Sequence, residues 1–336
     1  MTTIGITTTV PIEILLAAGL RPVDLNNLFI ADPNPDRLVN IAERAGFPQN
    51  CCTWIKGIYG VCLDRGIDTV LCVTSGDCSN TLMLMEVFKL RGLRAVPFAY
   101  PDQPDVHRMQ LCLEALAEAP GTTWAGGEEM RGELKKSRSL ALELDELTWR
   151  PGVVGGWENH LWLVTSSDFN GDYREYQHQL QQLLSQCHQR QPHPEHMLRL
   201  AYIGVPPVFA PDLYRYLERH GARVVFNEIQ RQFAMPQPGT SLAEQYSNYT
   251  YPYPICHRIS DIMAELRRRR VDGVIHYVQA FCHRGIADII FRHAIELPIL
   301  TLEGNDDYML SHHVKTRIEA FLDVLKRRQR ALAQAH

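Results

Sequence analysis

No stretch of this 336-residue chain reaches the roughly 18 consecutive apolar residues of a membrane span. The best candidate, near the start, is broken by Glu13 and Gly19. The opening Met-Thr-Thr-Ile-Gly-Ile carries no positive n-region, so no secretory signal is expected there. Charge of one sign is not in excess either: 34 Lys+Arg against 38 Asp+Glu leave a net charge of −4. That balance argues against a nucleic-acid coat or a membrane-surface anchor. The chain has no G-x-G-x-x-G and no G-x-x-x-x-G-K-[ST], which removes support for a Rossmann dinucleotide site or a P-loop. It has no G-x-S-x-G for a serine hydrolase. Closely spaced Cys-x(2–4)-Cys pairs are also missing, which weakens structural zinc. A cytoplasmic protein without nucleic-acid or membrane partners is the expectation.

The composition, 45% hydrophobic and 21% charged, is that of a globular protein, and the length suggests two domains. Short Val/Ile/Leu-rich runs alternate with helical patterns, the signature of a parallel α/β sheet. Strands are predicted at Pro22–Ile30, Thr69–Thr74, Ala95–Ala99, Leu200–Ile203, Val224–Glu228, Gly273–Val278 and Ile299–Leu302. Helices are predicted at Ile12–Gly19, Ser79–Arg91 and Leu213–His220, with a charged helical stretch from Pro104 to Arg150. Tyr173–Gln189 reads as a Gln-rich amphipathic helix followed by a linker. The expected organisation is an N-terminal α/β domain with a helical insertion over 1–165, a helix and linker over 166–197, and a C-terminal α/β domain over 198–336.

An internal repeat sharpens this. Gly19-Leu-Arg-Pro-Val-Asp-Leu-Asn answers Gly221-Ala-Arg-Val-Val-Phe-Asn-Glu, and Arg65-Gly-Ile-Asp-Thr-Val-Leu answers Arg269-Arg-Val-Asp-Gly-Val-Ile. Asp68 and Asp272 stand 204 residues apart, and so do Cys78 and Cys282. Two copies of one α/β unit are implied, each delivering a cysteine just past the carboxyl end of a strand. Ligands of open α/β sheets sit at those ends.

Nine cysteines in a reducing compartment are buried thiols, redox groups or metal ligands. Cys78, in Ser-Gly-Asp-Cys-Ser-Asn, follows a glycine suited to a tight turn, with Ser79-Asn80 placed to cap the next helix. A thiolate at a helix N-terminus is stabilised by the dipole and suits a metal ligand or a nucleophile; a buried inert thiol is the plainer reading. Cys51-Cys52 opens another helix, and Cys52 is the candidate of the two, with Cys51 left open. Three dispersed thiolates fit an iron–sulfur cluster with one iron left open. Cys72 lies inside a strand and Cys62, Cys112 and Cys187 lie in helical patterns, where core or surface thiols are expected. Cys256 repeats Cys52 at the 204 offset without the same context, and it stays a reserve candidate. The run Arg267–Arg270 reads as cations at a helix C-terminus. His188, His193, His196, His312 and His313 read as solvated.

On these residues the chain resembles the 2-hydroxyacyl-CoA dehydratase / benzoyl-CoA reductase family, in the type of subunit that carries an iron–sulfur cluster. The matching pieces are Val10-Pro-Ile-Glu-Ile-Leu-Leu-Ala-Ala-Gly-Leu-Arg-Pro-Val, Cys52-Thr-Trp-Ile-Lys-Gly, Gly76-Asp-Cys-Ser-Asn, Phe281-Cys-His-Arg and Leu302-Glu-Gly-Asn-Asp. The resemblance implies two flavodoxin-like parallel-sheet domains with additional helices and a cluster at the domain interface, bound by Cys52, Cys78 and Cys282. It implies a homodimer, or a heterodimer with a related subunit, and an ATP-hydrolysing iron–sulfur activator as electron donor. Two activities follow from it. One is reductive dehydration of a 2-hydroxyacyl-CoA at a 4Fe-4S cluster; the other is small-molecule reduction at a double-cubane 8Fe-9S cluster. A non-catalytic electron relay and a metal-free binding protein stand as alternatives of other classes. The chain starts close to the Val-Pro-Ile-Glu motif, and Glu-Gly-Asn-Asp stands where Glu-Gly-Asp is more usual. Glu13, Ser79 and Glu303 are the expected catalytic groups, with Gln279 beside them. Glu158-Asn-His160, Gln230-Arg231-Gln232 and the aromatic run Tyr246–Tyr253 are further polar or cleft-lining candidates.

Overall fold

The computed structural model describes residues 2–334. Eight strands form two four-stranded parallel sheets. The first holds β1 (Thr3–Ile6), β2 (Arg21–Asp24), β3 (Thr69–Ser75) and β4 (Arg94–Ala99), in the order β2-β1-β3-β4. The second holds β5 (Leu198–Gly204), β6 (Ala222–Asn227), β7 (Gly273–Gln279) and β8 (Ile299–Gly304), in the order β6-β5-β7-β8. Between them run α1 (Ile12–Ala17), α2 (Leu25–Ile30), α3 (Pro35–Arg44), α4 (Thr53–Arg65), α5 (Asn80–Leu90), α6 (Val106–Glu118), α7 (Trp124–Trp149) and α8 (Gly156–Val164). The rest are α9 (Tyr173–Cys187), α10 (Ala210–Arg219), α11 (Glu228–Phe233), α12 (Leu242–Asn248), α13 (Ile255–Arg268), α14 (Ala287–Ala294) and α15 (His312–Gln334).

The chain divides into two compact units, each with one sheet. One comprises the residues up to Leu142 with Leu163–Gln182 and Gln232–Arg258; the other comprises Glu143–Trp162, Leu183–Arg231 and the chain from Ile259 on. Continuous apolar runs make the middle strands because parallel sheets are covered on both faces. Val70, Leu71, Cys72 and Val73 are all buried in β3, as are Leu200 to Ile203 in β5. The internal repeat is visible in this layout. Thr69 and Gly273 open β3 and β7, and Ser75 and Gln279 close them, 204 residues apart in each case.

Two sequence expectations change. The run Pro22–Ile30 is not one strand: β2 ends at Asp24, whose carboxylate accepts from the Asn26 N–H at 2.9 Å and caps α2. The capping energy of that Asp outweighs the strand preference of the apolar residues after it. The strand β1 was not expected, because four residues containing Gly5 make a weak local signal. It forms because it is laid between β2 and β3, with Ile4 and Ile6 buried. Among the described residues, no helix is long and apolar enough to cross a membrane.

Candidate functional site

In each sheet the strand order turns about its second and third strands, so the loops leaving β1 and β3, and those leaving β5 and β7, run to opposite sides. That divergence at the carboxyl ends is where such sheets bind ligands. Cys78 follows β3 by three residues and Cys282 follows β7 by three. Both are half-buried.

The Cys78 loop is shaped by close packing. Gly76 has φ +96°, and a Cβ there would lie 2.8 Å from Pro252 Cβ and 2.9 Å from Tyr100 Cβ. Tyr100 is in turn fixed by its hydroxyl, which donates to the Thr9 carbonyl at 2.9 Å. Thr7 ties the neighbouring loop to β3: its N–H donates to the Leu71 carbonyl at 3.2 Å, and its hydroxyl accepts from the Val73 N–H at 3.0 Å. The Cys78 carbonyl accepts the Thr81 N–H at 3.1 Å. Ser79 does not cap α5 with its side chain. Its backbone is already helical, at φ −63° and ψ −25°, which carries the exposed hydroxyl away from the free N–H groups.

The Cys282 loop uses a strained residue instead of a glycine. Phe281 has φ +62° and is exposed, a left-handed conformation that costs a large side chain free energy. The Cys282 N–H donates to the Gln279 carbonyl at 3.1 Å, and a 3-10 turn His283–Ile286 starts on the Cys282 carbonyl. Gln279 is pinned at both ends. Its Oε1 accepts from the Tyr277 hydroxyl at 2.8 Å, and its Nε2 donates to the Asn305 carbonyl at 3.0 Å. The segment after β8 is thereby fastened to the base of the Cys282 loop, and Glu303, the residue before Gly304 in β8, is exposed.

Cys52 is the last residue before α4 and is buried, with φ −55° and ψ 128°. The motif after it is a packing device. A Cβ on Gly57 would lie 2.4 Å from the Phe29 ring, and one on Gly60 would lie 2.2 Å from the Leu38 carbonyl oxygen. Trp54 meets Phe29 edge to face at 5.5 Å.

Glu13 is fully buried and ion-paired with Arg138. Its carboxylate also accepts from Gln245 Nε2 at 2.9 Å and from the Tyr246 hydroxyl at 2.8 Å. Burial pushes the Glu13 carboxyl up most strongly of any single effect, but the Arg138 charge and the hydrogen bonds from Arg138 and Gln245 together bring it below its ordinary value, so it stays ionised. The Tyr246 hydroxyl bonds the Val10 carbonyl as well, at 2.9 Å, and so braces the loop after β1. Tyr246, Tyr249, Tyr251 and Tyr253 are all buried in the unit of Cys78, where they serve as core.

The remaining cysteines sort as their elements imply. Burial pushes the Cys72 thiol up to about 12 and the Cys62 thiol well above its ordinary value. Cys112 and Cys187 are raised by burial too. Cys51 is half-buried and raised by burial, with Lys56 pulling the other way. Cys256 is exposed. Glu158, Asn159, His160 and Gln230 are engaged within one unit. Glu158 pairs with Arg190 at 2.6 Å, Asn159 Nδ2 donates to Asp145 at 3.1 Å, and His160 Nδ1 lies 3.0 Å from Gln230 Nε2. Burial lowers the His160 pKa to about 3, which keeps it neutral.

Cys52, Cys78, Glu13 and Ser79 belong to one compact unit, and Cys282 and Glu303 to the other. Among the described residues, no group of three or more His, Cys, Asp or Glu forms a ready-made metal cage. The candidate donors nevertheless suit iron and sulfide by their softness: all three are thiols at or just before a helical turn, and Cys78 and Cys282 are half-buried.

Fold and loops together define a duplicated parallel α/β protein with a thiol beyond the same strand of each sheet. The family model HGD-D, 2-hydroxyglutaryl-CoA dehydratase, D-component, matches residues 7–325, and the chain belongs to that family. The family is an iron–sulfur-containing, dehydratase-type enzyme component. A search of curated proteins finds no match.

Proposed function

We propose that the chain is the cluster-carrying subunit of a 2-hydroxyacyl-CoA dehydratase-type enzyme, with Cys52, Cys78 and Cys282 as the ligands. The placement of Cys78 and Cys282, three residues beyond equivalent strands of two sheets with the same order, carries this reading. When bound, a cluster on three thiolates would supply low-potential one-electron chemistry and one iron without a protein thiolate. Electrons would come from an ATP-hydrolysing activator, and the working unit would pair this chain with a second copy or a related subunit.

The chain's own residues then have separate tasks. Gly76 and Phe281 turn the two loops off the strand ends, and Gln279 holds the Cys282 loop and Asn305 together. Ser79 and Glu303, both exposed, are the groups assigned to the substrate, a hydroxyl to donate a hydrogen bond and a carboxylate to hold a proton. Glu13 has both oxygens engaged in the interior, so its part is to brace α1 and the loop after β1.

Anaerobic purification tests the reading. A brown protein is expected, with iron and labile sulfide in each chain, and colourless protein after anaerobic reconstitution would sink the cluster. Four irons per cluster correspond to a cubane; eight would identify the double-cubane form and a reductase that works without CoA. Cys78→Ser should lower the iron content and Cys112→Ser should not, and equal behaviour would refute the ligand assignment. Turnover with activator, ATP and reductant separates an enzyme from a relay, which would take up electrons without forming product.

A further inference from the structure

The lysine of Cys52-Thr-Trp-Ile-Lys-Gly has no task in that reading. Lys56 stands in the first turn of α4, four residues beyond Cys52, which precedes the helix. It is 3% exposed, and its N–H donates to the Cys52 carbonyl at 3.2 Å. Its ammonium reaches back past the helix start. There it donates to the Gln49 carbonyl at 2.9 Å and to Glu43 Oε1 at 2.7 Å. Glu43 belongs to α3, and Gln49 to the irregular segment between α3 and α4 that ends on Cys52.

Burying an ammonium is costly unless it is paired and hydrogen-bonded, and an apolar side chain of similar length would fill the space without that cost. A lysine here is accounted for by what it holds. One side chain fastens the helix, the helix before it, and the segment delivering the thiol. We propose that Lys56 is a positioning residue for Cys52, clamping residues 49–52 so that the thiol is presented to its ligand in one orientation. This rests on Cys52 being a cluster ligand.

The test uses the full chain without cluster, alkylated under anaerobic conditions and read peptide by peptide. In Lys56→Met the Cys52 rate should rise about tenfold, the effect of losing the charge-assisted hydrogen bond to the Gln49 carbonyl in the segment that carries the thiol, while Cys62 and Cys72 stay protected. Lys56→Arg should restore most of the protection. Reconstitution of Lys56→Met should give less iron and a broadened cluster spectrum. An unchanged Cys52 rate in Lys56→Met overturns the proposal. If all the cysteines react together the variant has not folded, and Glu43→Gln decides instead. That variant should speed Cys52 about threefold with Cys62 unchanged, and no change there overturns the proposal as well. Wild-type protein that takes up no iron would refute the cluster reading, while the alkylation rates would still decide on Lys56.

Discussion

Replacing Gly76 by alanine probes the Cys78 loop with a single methyl group. At φ +96° an L-residue pays about 1–2 kcal/mol for the left-handed backbone. The new Cβ would also fall 2.8 Å from Pro252 Cβ and 2.9 Å from Tyr100 Cβ. Neither atom is the free end of a flexible side chain, so backbone must shift, and overpacking of that kind costs about 1–3 kcal/mol. Together these give a loss of about 2–5 kcal/mol, concentrated two residues before Cys78. Urea unfolding of cluster-free protein measures the global cost, and iron per chain after reconstitution measures the local one. Gly132→Ala is the control. Gly132 lies exposed inside α7 with open space around its Cβ position, and alanine there should stabilise by about 0.5–1 kcal/mol and leave iron binding alone. Gly76→Ala protein with unchanged midpoint and full iron content would refute the claim that packing under the loop sets the thiol's position.

Two further outcomes follow from buried charge. Asp24 and Asp168 are buried together, with the Asp24 N–H donating to Asp168 Oδ2 at 2.7 Å. Burial first, and for Asp168 the neighbouring Asp24 charge second, raise both carboxyls above their unfolded values. Folded protein therefore holds the extra proton, and the stability this gives is full at low pH and lost as pH rises from about 4 toward 7. Asp24→Asn keeps the helix cap and removes one of the two carboxyls and the charge that raises the other, so stability should fall less steeply across that range in unfolding measured against pH; a profile parallel to the wild type would show the pair is not protonated. Arg269 is fully buried between Asp145, at 2.5 Å, and Glu265, at 2.6 Å. Arg269→Ala should cost about 3–5 kcal/mol in urea unfolding, and a loss under about 1 kcal/mol would mean that Arg231 alone neutralises both acids.

Much of the fold was legible because it rests on local patterns. β3 and β7 carry apolar residues near their starts, Val70–Val73 and Val274-Ile275, and start four and five residues after α4 and α13 end, so both strands could be read directly. What was missed depends on distant partners. Nothing near Arg267–Arg270 says which of four arginines turns inward; Arg269 does, because Asp145 waits 124 positions away. The one local hint was Glu265, four residues earlier on the helix. Glu158, His160 and Gln230 could be read equally as groups facing a substrate or as groups hydrogen-bonded between domains; each meets a partner dozens of residues off within one unit, as His160 and Gln230 do at a separation of 70. Ser79 failed as a cap for a different reason: composition suggested the role, but the tight turn at Gly76 had already brought its backbone into the helix.

The duplication explains two of the three proposed ligands and not the third. Cys78 and Cys282 occupy one position of the repeat, and each follows a left-handed residue, Gly76 in one copy and Phe281 in the other. A glycine takes that conformation freely, whereas Phe281 holds it against strain, so the second loop must be held by other bonds. Gln279 and the segment after β8 supply them. Cys52 has a counterpart in number only: Cys256 is the second residue of α13 and is exposed, where Cys52 is buried at the mouth of α4. The Lys56 clamp belongs to the first copy alone, since position 260 is Ser. On the proposed ligand set the first copy therefore supplies two thiols and the second copy one, and three thiolates would leave one iron of a cubane without a protein ligand.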